Sequence, residues 1–551
     1  MNRSGIAALS ITALLGGILG TLPAQADGIT TAGASIAIDL PVFNVESDYD
    51  SNLPSIESAP AEPLPLPTVQ SPARPLDSIQ NQAAPAEAGM PNSGRPGAET
   101  TDSDRAINPA LEAEATAIEY APAEITAIEY YNRGVRAYHK GDDAAAIENF
   151  TSAIAANGEY AEAYLFRGAI KQTLADPVAA MADYSTAIYL RPDYSLAYFY
   201  RGALLYHTGD IASAMNDFEA AVALDPMHVA SHDYLGVVQT ERGDFASAVV
   251  SFDKAIALDA KYAPAYMHKG AALIELEDYE NAIAPLDIAI DLNKKYAEAF
   301  MNRGVAYYHL GTLPTALANL NRAIKLNEDN LEAYYNRSYV YSAMRRTTDA
   351  LADINYVLSA QPDSLNAYMA RGTLYSAQGK HEAAITDFNR VIELDANSSE
   401  AYQQRALVRL ATNHVSEALD DYDSALSLSP ASQDLYKGRA DAYIIHGNLS
   451  SAIADYTYAI ELDNSYSAAY AARGRSLYES GDAQGAYQDF SQIIRQDPTV
   501  DADIYYYRGV TLMALGDNFS AHNDFQIAAE RYLVEGRADG YRAVINRMSR
   551  L

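Results

Sequence analysis

The sequence contains no cysteine and no tryptophan. Without cysteine there are no disulfides, no thiolate metal ligands, no thiol nucleophile and no lipid-modified N-terminal cysteine. Basic residues are scarce: 39 Lys and Arg stand against 72 Asp and Glu, a formal net charge of -33. Such an acidic chain has no broad electrostatic attraction for nucleic acid or anionic lipid, and no nucleic-acid partner is expected. Apolar runs long enough to span a bilayer are also missing after Leu22, so no membrane span is expected in a mature chain. No glycine-rich loop reads as a phosphate cradle. No interval outside the repeats described below is large and ordered enough for a catalytic domain. The chain is therefore read as a non-enzyme with no cofactor.

What is abundant is tyrosine, with 42 residues. Its distribution follows a division of the chain into four parts. Residues 1–26 read as a signal peptide. Arg3 precedes an apolar, glycine-interrupted run from Ile6 to Leu22, and Ala24-Gln25-Ala26 before Asp27 has the small-x-small cleavage pattern. The mature protein is expected to be exported and to be periplasmic, lumenal or extracellular. Residues 27–122 hold 13 prolines, 15 acidic residues, three arginines, no lysine and three aromatics. Too little apolar surface is available there to offset chain entropy, so this Pro-rich acidic segment is expected to be disordered.

From Ala127 a 34-residue period takes over. A small residue following Arg or another long side chain recurs at Gly134, Gly168, Gly202, Gly236, Gly270, Gly304, Ser338, Gly372, Ala406, Ala440 and Gly474. One extra residue then leads to Gly509. That makes twelve units over 127–535, and a fixed period of this size signals a solenoid. Each unit reads as two helices. A glycine at the fifteenth place, as in Gly209, Gly243 and Gly447, suits the left-handed residue that ends the first helix. Alanine fills the twentieth place in all twelve units, from Ala146 to Ala521, and a larger apolar residue fills the twenty-fourth, as in Phe150 and Phe218. Close approach of two helices through small residues is expected, with Gly202 meeting Ala214.

This pattern resembles the tetratricopeptide repeat (TPR) family. An aromatic occupies the fourth place (Tyr130, Tyr164, Tyr198, Tyr266, Phe300), and proline often occupies the thirty-second (Pro192, Pro226, Pro362, Pro430, Pro498). The resemblance implies an all-α, right-handed α-solenoid of about twelve helix pairs. It also implies a concave groove used to hold protein partners. Residues 536–551 are expected to supply a C-terminal capping helix over the last repeat. Three departures stand out. His232 replaces the aromatic in the fourth unit, Pro285 lies inside a second helix that it should kink, and Ser338 and Arg345 replace both glycines of the seventh unit.

Helical rotation sorts the first helix into two arcs. Places four, seven, eight and eleven face the second helix. Places two, five, six, nine, twelve and thirteen face the opposite way, the arc that the family uses as its groove. Arg or Lys at place seven is expected to pair with an acid at place twenty-three, as Arg201 with Asp217. The groove arc holds the expected partner-binding residues Tyr131, Asn132, Tyr138, Phe199, Tyr200, Tyr206, Met267, Met301, Asn302, Tyr308, Tyr335, Asn336 and Met369. Eleven acids share that arc, including Glu162, Asp233, Glu298, Glu332 and Asp441, against only Lys437 and Arg475. A protein or peptide ligand with apolar and basic residues is the expected partner. The resemblance adds that asparagine at place six hydrogen-bonds a bound peptide backbone in several TPR proteins. The chain then reads as an interaction scaffold, and analogy with the family extends this to an expected role in assembling envelope or membrane complexes. The competing reading is a structural spacer or self-associating rod with no groove ligand. His228 and His232 have metal-pair spacing, but His232 sits at a core place and no third ligand is apparent, so no metal site is expected.

Overall fold

The computed structural model describes residues 122–550. The leader-like and Pro-rich acidic segments lie outside the described residues, apart from the segment's last residue, Pro122. The described residues form two units, 122–330 and 331–550. Both are wholly helical among the described residues, with no strand.

The first unit comprises α1 (Pro122–His139), α2 (Asp143–Ala156), α3 (Ala161–Thr173), α4 (Pro177–Leu190), α5 (Ser195–His207) and α6 (Ile211–Leu224). It continues with α7 (Val229–Glu241), α8 (Phe245–Leu258), α9 (Ala263–Glu275), α10 (Tyr279–Leu292), α11 (Ala297–His309) and α12 (Leu313–Leu326). The second unit comprises α13 (Leu331–Ala343), α14 (Thr347–Ala360), α15 (Leu365–Ala377), α16 (His381–Leu394), α17 (Ser399–Ala411), α18 (Val415–Leu428) and α19 (Gln433–His446). It ends with α20 (Leu449–Leu462), α21 (Ser467–Glu479), α22 (Ala483–Gln496), α23 (Ala502–Ala514), α24 (Asn518–Val534) and α25 (Ala538–Met548). Odd-numbered helices up to α23 are the first helices of their repeats, and each packs on the even-numbered helix that follows. The period read from the sequence is thus an α-solenoid of helix pairs within each unit.

The turn inside each pair follows from local chemistry. Gly209, Gly243 and Gly447 have φ of 81°, 77° and 81°, the left-handed region that glycine enters without a Cβ penalty. Aspartate commonly comes next and caps the second helix. Asp142, Asp176 and Asp210 side chains accept from the Ala145, Ala179 and Ser213 amides at 3.0, 3.0 and 3.1 Å. The Gly-Asp pair therefore ends one helix and starts the next within two residues. Four repeats place Ala175, Glu277, Arg345 and Asn413 in the same left-handed turn, with φ between 59° and 62°.

The small residue at place eight admits a ring rather than another small residue. A Cβ on Gly202 would lie 3.1 Å from the Phe218 ring, and one on Gly236 would lie 2.5 Å from Phe252. Gly202 therefore meets Phe218, not Ala214 as expected: removing one Cβ makes room for an aromatic at place twenty-four. Those rings, with Tyr184 and Tyr422, are among the most deeply buried side chains of the protein. Pro285 lies in the middle of α10, and the helix runs through it without a break. At the C-terminal end, α25 buries Val544 against α24, and Gly540 packs on the Tyr532 ring. The cap expected from the sequence is present as α25.

Candidate interaction face

The recurrent arginine is structural. Arg201 donates to both carboxylate oxygens of Asp217, at 2.7 and 2.8 Å. The same two-pronged bond joins Arg167 to Asp183, Arg337 to Asp353, Arg371 to Asp387, Arg405 to Asp421, Arg439 to Asp455, Arg473 to Asp489 and Arg508 to Asp524. The aspartates are nearly sealed and the arginines half-buried. The arginine has a second task that sequence reasoning missed. Its remaining nitrogen reaches back to the preceding repeat: Arg371 to Asn355 at 2.8 Å, Arg439 to Asp423 at 2.6 Å, Arg473 to Thr457 at 3.1 Å. The signal for it was available, because an acceptor recurs sixteen residues before as well as after the arginine. Where the pair is missing, substitutes appear. Ser251 donates to Gln239 at 2.7 Å, and Lys269 keeps only the backward contact, to Asp253 at 2.6 Å.

The opposite arc forms the inner side of each unit. First helices of successive repeats touch directly, as α7 with α9, α9 with α11 and α15 with α17, whereas second helices make no comparable contact. The expected partner-binding residues divide on this side. Tyr131, Tyr206, Met267, Met301, Asn302, Tyr308, Asn336 and Met369 are buried. Asn132, Tyr138, Phe199, Tyr200 and Tyr335 are half-buried. Phe199 meets Tyr200, His228 and Tyr234 edge-on, with centroids 5.2, 4.9 and 5.4 Å away, so much of its ring joins α5 to α7. Sequence arcs identify the side of the helix but not the reach of the next repeat, and that reach decides burial.

The acids divide as well. Asp233, counted among the groove acids, is sealed between α7 and α9, where its carboxylate meets His268 Nδ1 at 2.9 Å and Tyr262 Oη at 3.4 Å. Glu162 pairs with Arg191 at 2.5 Å, and Asp441 accepts from Lys437 at 2.7 Å and from Tyr456 at 2.6 Å. Two glutamates differ. Glu275 ends α9, where burial and then the neighbouring Glu241 carboxylate push it up to about 8. The negative end of the helix dipole acts in the same direction. Glu400 lies in the first turn of α17, where the dipole favours the ionised form, yet burial pushes it up to about 7. Neither glutamate forms an ion pair with a cation among the described residues. The amide of Asn336 and the Oδ1 of Asn302 are buried without a hydrogen-bond partner among the described residues. His232, the fourth unit's substitute for an aromatic, is buried with Nε2 2.9 Å from the Pro226 carbonyl oxygen. No three His, Asp or Glu side chains among the described residues are arranged to hold a metal ion.

Family-level comparison matches residues 270–311 and 306–344 to "TPR repeat", and 195–228, 335–399 and 404–467 to "Tetratricopeptide repeat". The chain belongs to the tetratricopeptide repeat family. As a TPR protein it is a protein-interaction scaffold, of a family that is typically non-enzymatic. Among solved structures, it is 16% identical to yeast Tom70 over 77% of this chain and 95% of that one, with a TM-score of 0.39. It is 21% identical to a tetratricopeptide repeat protein from Parabacteroides merdae, over 45% of this chain and 98% of that one, with a TM-score of 0.38. It is 24% identical to YrrB, a TPR protein with an unusual peptide-binding site, over 33% of this chain and 95% of that one, with a TM-score of 0.30. No curated protein matches the sequence. No helix among the described residues is long and apolar enough to cross a membrane.

Proposed function

We propose that this TPR protein holds a segment of a partner protein against the inner side of its first unit, and that the segment carries apolar and basic residues. Glu275 carries the reading. A carboxylate placed at a helix C-terminus, beside a second carboxylate and largely out of water, is costly to ionise. An incoming Lys or Arg supplies the missing charge, and the half-buried rings of Tyr138, Phe199 and Tyr200 supply apolar contact. Basic residues are scarce on this arc, so a cationic segment meets little repulsion there.

A displayed library of random dodecapeptides, selected on the full chain, tests this. Enrichment of sequences that combine Lys or Arg with aromatic or aliphatic residues is expected, with loss of capture in the Glu275→Gln variant. A library that enriches nothing, or enriches acidic sequences, would refute it. Concentration-dependent light scattering together with an unenriched library would favour the self-associating rod.

A further inference from the structure

Second helices of successive repeats do not pack on one another as the first helices do. Between α4 and α6, over α5, this leaves a cleft of about 350 Å³. Met181 and Ser185 line it from α4, Arg201 and Leu205 from α5, and Asn216 and Asp217 from α6. It lies on the side of α5 that faces away from the inner face. Other repeats fill the corresponding place from their own sequence. Nη1 of Arg371 donates to Asn355 at 2.8 Å, that of Arg405 to Asn389 at 2.5 Å and that of Arg439 to Asp423 at 2.6 Å. Each acceptor is a planar carboxamide or carboxylate oxygen, sixteen residues before the arginine. Hydroxyls at this place reach less far: Thr457 stands 3.1 Å from Arg473 and Thr151 3.3 Å from Arg167. Ser185 is the extreme, with Oγ 3.5 Å from Arg201 Nη1, and a bond of that length is weak. The guanidinium cannot swing toward it, because Nε and Nη2 are held on Asp217 at 2.7 and 2.8 Å. Arg201 therefore aims a poorly engaged donor into an open cleft.

We propose that the cleft between α4 and α6 binds a primary carboxamide, the end of an asparagine or glutamine side chain of a partner protein. Its carbonyl oxygen accepts from Arg201 Nη1, as Asn355 accepts from Arg371. Its amino group donates to the lone pairs of the Ser185 hydroxyl and the Asn216 carbonyl oxygen. Met181 and Leu205 give the aliphatic stem an apolar wall. A carboxylate matches the arginine but has no donor for the other two groups. Asp423 holds the equivalent place beside Arg439 because the chain ties it there, whereas a free anion must approach a chain of net charge -33. This site goes beyond the proposed function: it faces away from the inner side and needs no cation.

The test uses full-length protein labelled with ¹³C at its methionine methyl groups, 11 in the chain. The Met181 resonance, assigned by its absence in Met181→Leu, is expected to shift saturably on titration with butanamide. Sodium butyrate and n-butanol should each bind about tenfold more weakly. Ser185→Asn fills the place from within and should abolish the saturable shift. Ser185→Ala leaves the cleft open and should weaken butanamide binding about threefold, the effect of one lost acceptor. Circular dichroism of both variants separates loss of the site from loss of the fold. No saturable shift of Met181, equal binding of butanol, equal binding of butyrate, or an unchanged affinity in Ser185→Asn would each overturn the site. Glu275→Gln should leave butanamide binding unchanged, so this site and the inner face stand or fall separately.

Discussion

The Glu275→Gln substitution gives the most direct reading of the inner face. In an unfolded chain Glu275 titrates near the ordinary glutamate value; in the folded protein burial and Glu241 hold it at about 8. Between those two values the folded state keeps a proton that the unfolded state has lost. Stability therefore falls as pH rises through this window, and the loss is complete above about 8. Each pH unit in the window corresponds to about 1.4 kcal/mol for a fully buried group, so pH 6 to 8 sets an upper bound of about 3 kcal/mol. Glu275 remains partly accessible to water. Screening reduces the expected change to about 1.5 kcal/mol. Glutamine has the same shape and no proton to lose, so it removes this dependence. Urea unfolding of the full chain, followed by circular dichroism at pH 6, 7 and 8, measures both proteins. The wild type should lose about 1.5 kcal/mol relative to Glu275→Gln across the series. Parallel pH profiles would show that Glu275 is ionised at no cost, and the argument that it awaits a cation would fail.

Three further outcomes follow from the repeat itself. Asp217→Ala leaves Arg201 half-buried without its partner and should cost about 3 kcal/mol, whereas Arg201→Met with Asp217→Leu should be nearly neutral; a double-mutant cycle in urea checks this. Ala175→Gly and Glu277→Gly relieve a left-handed turn and should each stabilise by about 0.5–1 kcal/mol, while Asn413→Gly, starting from a residue that tolerates the conformation, should change thermal stability little. Gly236→Ala places a methyl carbon 2.5 Å from the Phe252 ring and should destabilise by about 1–3 kcal/mol, visible as faster hydrogen exchange in α7 and α8.

Much of the fold was legible because each repeat contains its own instructions. The left-handed turn at Gly209, the bond from Arg201 to Asp217 and the cap in α25 all connect residues within about one period, so a single sequence displays them. The contact of Gly202 was misread because two small residues suggest close approach, while the crossing of α5 and α6 puts the Phe218 ring over the glycine instead. The inner face was legible only as a direction. Helical rotation placed Tyr131, Met301 and Tyr200 on one arc, yet the first two are buried and the third half-buried.

The sequence by itself determined the period, the helix pairs, the turns between them and the charge that the inner face carries. Only the tertiary structure decided which inner-face groups are consumed by stacking and which are left unsatisfied. Asp233 and Glu275 both sit on the same arc, but the carboxylate of one is hydrogen-bonded to His268 of the next repeat and the other faces a second carboxylate. The physical reason is that a side chain's partner on this face belongs to a neighbouring first helix. The stacking of repeats sets that neighbour, and no periodicity within a single helix encodes it.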